Sequence, residues 1–157
     1  MKQKILLTID GLELSEKAVD YVTKVINSED EITLYNVLPR PSAVCELDEP
    51  SLTPLFKKHQ KAFCALEDSK RDIIKDFMEK AKKKIMKTGI SSDNLVIKVE
   101  NQTENVENHI IREATNGGYD TIILGKKGSS KLNDIILGSI SHKILQLAKD
   151  IAVTIIT

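Results

Sequence analysis

The chain has 157 residues, of which 41% are hydrophobic and 29% are charged, and this composition is typical of one globular domain of ordinary size. Lys plus Arg and Asp plus Glu both number 23, so the net charge of zero gives no general reason to expect a nucleic acid or an anionic membrane as partner. The first apolar run, residues 5–9, is too short for a signal peptide, and no run approaches a membrane span, which predicts a cytoplasmic protein.

The first part of the chain predicts two strands separated by a helix. Residues 4–9 are an aliphatic run that ends at Asp10, which with the next glycine forms a turn signal. Ser15 is a fair N-cap for the helix that follows. Glu31–Leu38 is rich in strand-forming residues, and all four prolines fall in the segment 39–54, which predicts a loop.

The second part predicts a long helix followed by alternating strands and helices. The long, charged helix covers residues 66–87, and Gly89 is a natural signal for its end. An apolar residue at every fourth position predicts its inward stripe, made of Ile73, Phe77, Ala81 and Ile85. The remaining predicted elements are a strand over 95–99, a helix over 105–115, a strand over 121–124, a helix over 139–148 and the last strand Ala152–Ile156.

Strands that alternate with helices are typical of βαβ units, which build a parallel sheet through right-handed crossovers. No linker or internal repeat divides the sequence, so we expect a single domain over residues 1–157. In open sheets of this kind a ligand binds beyond the carboxyl ends of the strands, where the strand order reverses. This rule points to Asp10, to Val37 and to the segment after Leu124.

The cysteines and histidines do not suggest a metal or catalytic site. Cys45 and Cys64 form no Cys-x-x-Cys pair, and with His59 between them they match no zinc pattern. We therefore expect two free thiols in a reducing cytoplasm. His109 and His142 are scattered, and none of the three histidines is an obvious general base.

The segment 125–141 gathers groups suited to holding phosphates. Gly125 and Gly128 directly follow a buried strand, where glycine lets the backbone approach a ligand closely. Gly138 and Ser139 open a helix whose first amides have no intrahelical partner and, with the helix dipole, form an anion site. The same stretch supplies further donors and positive charge, from Ser139, Ser141, Lys126 and Lys127. Read alone, the glycines could equally be simple turns, and Asp10 a routine turn former.

Two common phosphate motifs are excluded. The segment lacks the Gly-Lys-Ser/Thr ending of a Walker A loop. The first strand leads to Asp10 rather than to the Gly-x-Gly-x-x-Gly of the dinucleotide fingerprint.

The spacing Gly125-x-x-Gly128, nine residues, then Gly138-Ser139 resembles the nucleotide motif of the universal stress protein family. Residues 4–18 resemble the family's first strand and its Asp-Gly-Ser-x-x-Ser-x-x-Ala turn, with Leu12 in place of the first Ser. Residues 33–37 and 119–125 resemble two further strands, so the likeness covers most of the chain outside residues 39–69.

This resemblance implies an α/β fold with an open, doubly wound, Rossmann-like five-stranded parallel sheet in the order 3-2-1-4-5, of the adenine nucleotide alpha hydrolase-like type. It implies a homodimer formed through the last strand and, because the glycines are present, the family's ATP-binding branch, with ATP (or ADP or AMP) bound together with Mg²⁺. It also implies the contacts: Asp10 at the adenosine end, Thr8 on the pocket floor, Val37 at the base, Leu124 and Gly125 beside the ribose, and Gly128, Gly138, Ser139, Ile140 and Ser141 at the phosphates.

Three functions stay open at this point. The first is a regulatory, stress-response module that binds ATP and hydrolyses it slowly or not at all. The second is an ATP-hydrolysing or nucleotidyl-transferring enzyme, but the His-x-Gly-His and Ser-Gly-Gly-x-Asp-Ser motifs of that class do not occur, so no catalytic residue is predicted. The third is a nucleotide-free, dimeric interaction protein.

Overall fold

The computed structural model describes residues 1–10, 13–48, 50–125 and 137–157. Within these ranges strands and helices alternate along the chain. The elements are β1 (Lys4–Thr8), α1 (Glu13–Val25), β2 (Glu31–Leu38), α2 (Ala43–Glu46), α3 (Pro54–Met86), β3 (Leu95–Asn101), α4 (Val106–Asn116), β4 (Thr121–Gly125), α5 (Ser139–Leu147) and β5 (Ala152–Ile156).

The strands form one five-stranded sheet in the order β3-β2-β1-β4-β5, and every neighbouring pair is parallel. This confirms the predicted α/β fold and strand order. The order reverses between β1 and β4, which lie side by side although most of the chain separates them, with Leu6 opposite Ile122. All the carboxyl ends therefore meet at one edge of the sheet, where a doubly wound fold places its ligand.

Each face of the sheet is covered by its own pair of helices. Leu7 and Leu34 are fully buried on the face covered by α1 and α3, where Ala18 and Met78 also pack. The opposite face is covered by α4 and α5, whose buried residues join strand residues in a second core made of Leu6, Tyr35, Val37, Ile110, Ala114, Tyr119, Ile122, Leu124 and Ile144. Burial on both faces explains why the central strands are apolar almost throughout.

The long helix α3 differs from the prediction in both extent and orientation. It begins at Pro54 rather than at residue 66, and the short helix α2 lies in the segment predicted as a loop. Ile73, predicted to face inward, is 63% exposed, whereas Ile74 packs against the core with Met78, Ala81 and Ile85. Only the second half of α3 lies on the sheet, so the packed stripe follows the spacing of that half. No helix in the described ranges is both long enough and apolar enough to cross a membrane.

The two cysteines are joined to each other, so the prediction of free thiols is wrong in this structure. Cys45 lies in α2 and Cys64 in the first half of α3. The two helices pack together and bring the Cα atoms to 5.8 Å, which is the separation that a disulfide spans. Sequence spacing could not reveal this pairing because it depends on the packing of α2 against α3.

A buried carboxylate fixes the amino end of the sheet. Asp30 is 2% exposed and directly precedes β2. Its Oδ1 accepts a hydrogen bond from the Gln3 amide at 2.9 Å, and its Oδ2 accepts one from the Asn27 amide at 2.8 Å. One side chain thus ties the start of β1 to the turn after α1.

We predict that Asp30→Ala lowers the free energy of unfolding by about 1.5–3 kcal/mol, because two backbone amides lose a charged acceptor. Urea denaturation measures this difference. Glu29→Ala, at the exposed neighbouring position, is the control and should stay within about 0.5 kcal/mol of wild type. Equal stability of Asp30→Ala and wild type would show that Asp30 does not anchor this end of the sheet.

Candidate functional site

A cleft of about 260 Å³ lies at the carboxyl ends of β1, β2 and β4. The rest of its wall comes from the first turns of α1, α4 and α5, from the middle of α3 and from the connections after β2 and β3. The lining residues are Thr8, Ile9, Asp10, Ser15, Tyr35, Asn36, Val37, Pro39, Ile74, Gln102, Val106, Ile110, Leu124, Gly125, Ile140 and Ser141. The cleft thus occupies the place where a doubly wound sheet binds its ligand.

Most of the residues expected at a nucleotide site line this one cleft, namely Thr8, Asp10, Val37, Leu124, Gly125, Ile140 and Ser141. Gly138 and Ser139 do not line it, but they lie directly beside it, as the N-cap and the first residue of α5. Gly128 lies outside the described residues. The predicted site residues that the structure describes therefore lie in or beside one cleft, although they are far apart in the sequence.

Gly125 lets the end of β4 lie against the start of α1. A Cβ atom at Gly125 would come within 2.8 Å of the Leu14 Cβ and within 3.2–3.3 Å of the Leu14 backbone. Such separations are shorter than carbon atoms tolerate, so any side chain here would push β4 and α1 apart. Glycine at this position is therefore needed for the cleft to have its present shape.

Asp10 is held in place by α1. The Ser15 hydroxyl donates to Asp10 Oδ1 at 2.5 Å and accepts from the Asp10 amide at 3.0 Å. Ser15 is buried, with 2% exposure, so the turn after β1 is fixed from inside the protein. A carboxylate is thereby set at the rim of the cleft, where it can accept hydrogen bonds from ligand hydroxyl or amino groups.

The amino end of α5 faces the cleft without a side-chain cap. Gly138 is the N-cap and makes no capping hydrogen bond, since it has no side chain. Ile140 and Ser141, in the first turn, line the cleft. The first amides of α5, which have no partner within the helix, and the positive end of the helix dipole favour an anion at this end of the cleft.

Two buried polar oxygens in the cleft wall have no hydrogen-bond partner among the residues that the structure describes. They are Asn36 Oδ1 and Ser141 Oγ, whose residues are 6% and 0% exposed. Asn36 Nδ2 donates to the Ile9 carbonyl at 2.5 Å, which fixes which end of the amide is the oxygen. Buried polar groups are nearly always paired in native proteins, so two unpaired oxygens in one wall mark a site suited to a polar ligand.

A polar network joins Tyr35, which lines the cleft, to β3 and α4. The Tyr35 hydroxyl donates to Glu100 Oε2 at 2.9 Å, and His109 Nδ1 lies 3.0 Å from the same oxygen. His109 Nε2 accepts from the Thr103 amide at 3.0 Å, so a neutral His109 carries its proton on Nδ1 and donates it to Glu100. Both ring nitrogens of this buried histidine are therefore occupied in holding β3 and the connection after it.

This environment shifts the pKa of two of these groups. Burial, reinforced by the neighbouring Glu100 carboxylate, raises the pKa of Tyr35 far above its usual range, so the phenol stays protonated. Burial alone would raise the pKa of Glu100, but hydrogen bonds from His109 and Tyr35 and the nearby Lys98 lower it below the ordinary 4.5. Glu100 is therefore an anion that the network stabilises.

Several lining residues were not identified from the sequence, including Ser15, Tyr35, Asn36, Pro39 and Gln102. A signal was available for Asn36, because an amide between apolar residues in a strand predicted to be buried needs a partner. Pro39 and Gln102 carry no such signal, since their position depends on how two connections fold over the sheet. Among the described residues no cluster of three or more His, Cys, Asp or Glu is arranged to hold a metal ion.

Comparison with known proteins defines the class. The model of the universal stress protein family matches residues 1–156, and the chain belongs to this family. It is 27% identical over 149 residues to the universal stress protein YxiE of Bacillus subtilis, an alignment that covers 94% of this chain and 95% of the relative.

Solved structures of the family share the fold. The universal stress protein UspA of Lactobacillus plantarum superposes with a TM-score of 0.69 at 20% identity, covering 99% of this chain and 97% of that one. A family member from Arabidopsis thaliana with AMP bound superposes with a TM-score of 0.62 at 14% identity, covering 98% and 90% of the chains. The Archaeoglobus fulgidus protein in complex with dAMP gives 0.58 at 14% identity, covering 99% and 98%.

We predict that the stabilising effect of Glu100 depends on pH. Because its pKa is lower in the folded protein than the ordinary 4.5, its contribution is fully present above about pH 4.5 and is lost as the pH falls through the lowered folded value. Urea denaturation should show Glu100→Gln less stable than wild type at pH 7, with the difference shrinking in acid. The exposed Glu29→Gln is the control, and a gap for Glu100→Gln that is constant with pH would contradict the assignment.

Proposed function

We propose that this chain is a single adenine-nucleotide-binding domain over residues 1–157, which binds ATP in the cleft and acts as a regulatory, stress-response module in the cytoplasm. The proposal rests on two buried oxygens, Asn36 Oδ1 and Ser141 Oγ, which have no partner among the described residues and lie in a cleft that ends at an uncapped helix N-terminus. A ligand that is polar at one end and anionic at the other satisfies both features.

The lining of the cleft suits the parts of a nucleotide in order. Apolar side chains of Val37 and Leu124 at the strand ends and of Ile110 on α4 line the cleft and favour a flat base. Asp10 can accept hydrogen bonds from ribose hydroxyls or from the amino group of a base. The first turn of α5, at Ile140 and Ser141, is suited to the phosphates.

The ligands of family members support the adenine class. The Arabidopsis thaliana protein binds AMP and the Archaeoglobus fulgidus protein binds dAMP, which share an adenine base and one phosphate. The extension to ATP with Mg²⁺ rests on the glycine spacing of residues 125–139 and on Lys126 and Lys127, which add positive charge to that segment of the sequence. In this proposal the phosphates carry most of the coordination of Mg²⁺.

Hydrolysis is proposed to be slow or absent, because none of the three histidines, all of which the structure describes, lines the cleft. Both ring nitrogens of His109 are engaged, one with the Thr103 amide and the other with the Glu100 carboxylate. His142 is exposed and its Nε2 lies 3.1 Å from the Gln146 amide nitrogen, and His59 is exposed on the first half of α3. Phosphoryl transfer depends on a positioned base and charge-stabilising groups, so turnover well below 1 s⁻¹, the lower end for kinases, is expected.

We predict that Ser141→Ala weakens ATP and AMP binding without harming the fold. The Ser141 hydroxyl has no hydrogen-bond partner within the described part of the chain, so the free energy of unfolding should change by less than about 0.5 kcal/mol. Loss of a hydrogen bond to the ligand should weaken affinity roughly threefold to tenfold by calorimetry. Ser92→Ala, at an exposed position just before β3 at the amino end of the sheet, is the control. Unchanged affinity of folded Ser141→Ala would remove Ser141 from the site.

Gly138→Val should abolish nucleotide binding, because a branched side chain at the N-cap of α5 occupies the space that phosphates need. Gly138 has φ −60° and ψ 154°, an extended conformation that valine also adopts, so the variant is expected to fold. Calorimetry on Gly138→Val, with circular dichroism as the check on folding, makes the test. Wild-type affinity in a folded Gly138→Val protein would contradict the phosphate assignment.

We further propose that the domain forms a homodimer through β5. This strand is at the edge of the sheet and, within the described residues, pairs only with β4. Residues 151–157 contain no charged residue or proline, the devices by which proteins usually protect an open edge. Antiparallel pairing with β5 of a second copy covers both edges, with the two clefts facing outward.

Val153→Pro should convert the dimer to monomer. The Ala152 amide donates to the Asp120 carbonyl, so by alternation the Val153 and Ile155 amides point to the open edge. Proline at 153 removes one edge donor and leaves the bonds to β4. Val153→Lys with Ile155→Lys should also give monomers or aggregates. Light scattering at tens of micromolar is the measurement, and a monomeric wild type or a dimeric Val153→Pro variant would rule out this interface.

A further inference from the structure

The segment 39–47, called the 39–47 wall below, borders the cleft at Pro39 and has almost no buried surface. Residues 39–47 leave β2 at Pro39, which lines the cleft, and pass through α2, none of whose residues is buried. Chain of this kind opens easily, because few apolar contacts hold it to the core. Its position therefore depends on specific ties to the neighbouring elements.

Most of these ties come from α3 and are polar contacts at the surface. Arg71 Nη2 donates to the Pro39 carbonyl at 3.0 Å, and Glu67 Oε2 accepts from the Ser42 amide at 3.2 Å. Gln60 Nε2 donates to the carbonyl of Leu47 at 2.8 Å and to that of Val44. Exposed hydrogen bonds of this kind exchange readily with water and contribute little individually.

The only covalent tie in the described part of this wall is the Cys45–Cys64 disulfide. Both cysteines are partly exposed, so small thiols or a redox protein can reach the sulfurs. They are also the only cysteines in the chain, so neither can exchange for another partner within it. In α3 the disulfide, Arg71 and the cleft-lining Ile74 follow one another within three turns, which links the disulfide mechanically to the cleft.

We propose that Cys45 and Cys64 form a reversible thiol–disulfide site, reduced by a dithiol, whose oxidised state fixes the 39–47 wall for nucleotide binding; this rests on the nucleotide-binding function proposed above. Disulfides of proteins in a reducing compartment are usually redox-sensing or catalytic rather than structural. Fixing the wall increases the fraction of molecules competent to bind, and the apparent affinity rises in proportion to that fraction.

A dithiol reduces the Cys45–Cys64 disulfide by thiol–disulfide exchange, and no further reactant is needed. One thiolate of the reductant attacks one sulfur of the Cys45–Cys64 disulfide, forms a mixed disulfide and expels the other cysteine as a thiolate. The second thiol of the reductant then attacks its own sulfur in the mixed disulfide, closes the reductant's disulfide and releases the second cysteine. Two electrons and two protons pass from the reductant to the cysteine pair, and an oxidising disulfide reverses both steps.

The test uses the whole chain in two redox states, prepared with dithiothreitol or with an excess of glutathione disulfide and then freed of reagent. Maleimide labelling and mass spectrometry should show two labels in the reduced protein and none in the oxidised protein. Calorimetry with ATP and with AMP should show several-fold weaker binding by the reduced form. Cys45→Ser with Cys64→Ser should match the reduced form and show no response to dithiothreitol.

Hydrogen–deuterium exchange separates this proposal from the nucleotide function. Amides of residues 39–47 should exchange faster after reduction, whereas the core of β1 should not change. Two labels after oxidation, or equal exchange and equal affinity in the two states, would overturn the redox site. If neither state binds a nucleotide, the proposed function fails, and the exchange of residues 39–47 still decides whether the disulfide fixes the wall.

Discussion

The cleft depends on how the ladder between β1 and β2 ends. The Ile9 amide donates to the Tyr35 carbonyl, and the Ile9 carbonyl accepts from the side chain of Asn36 at 2.5 Å. A side chain rather than a strand thus satisfies the last buried carbonyl, so the two strands can stop together at the edge of the sheet. Because β4 lies on the other side of β1, the three carboxyl ends border one open space.

Three features of the surrounding elements keep this space open. Gly125 leaves room for α1, Gly138 leaves the amides of α5 uncapped, and the Glu100–His109 network holds the connection after β3. The two glycines have no side chain that could occupy the cleft, and Glu100 and His109 are not among its lining residues. Two buried groups in the cleft wall, Asn36 Oδ1 and Ser141 Oγ, have no hydrogen-bond partner in the described ranges. This is the arrangement expected where a polar ligand completes the hydrogen bonding.

The sequence was sufficient for the sheet and for one side of the cleft because those depend on local patterns. The alternation of strands and helices predicted the parallel sheet, and glycine spacing marked the segment at Gly125 and Gly138. The side formed by Pro39 and α3 was not predicted, because α3 begins at Pro54 and turns Ile74 rather than Ile73 to the core. The Cys45–Cys64 pairing follows from the same packing, which no periodicity in the sequence records.

An NMR titration of the labelled whole chain with AMP tests most directly the proposal that an adenine nucleotide binds in the cleft beyond β1, β2 and β4. Binding there should produce saturable shifts of backbone amides at Val37, Gly125 and Ser141, which line the cleft from three different elements. Amides at the amino edge of the sheet, near Asp30, should stay unchanged. If saturating AMP shifts no amide of the cleft, or shifts only amides on other surfaces of the domain, a nucleotide does not bind in the cleft.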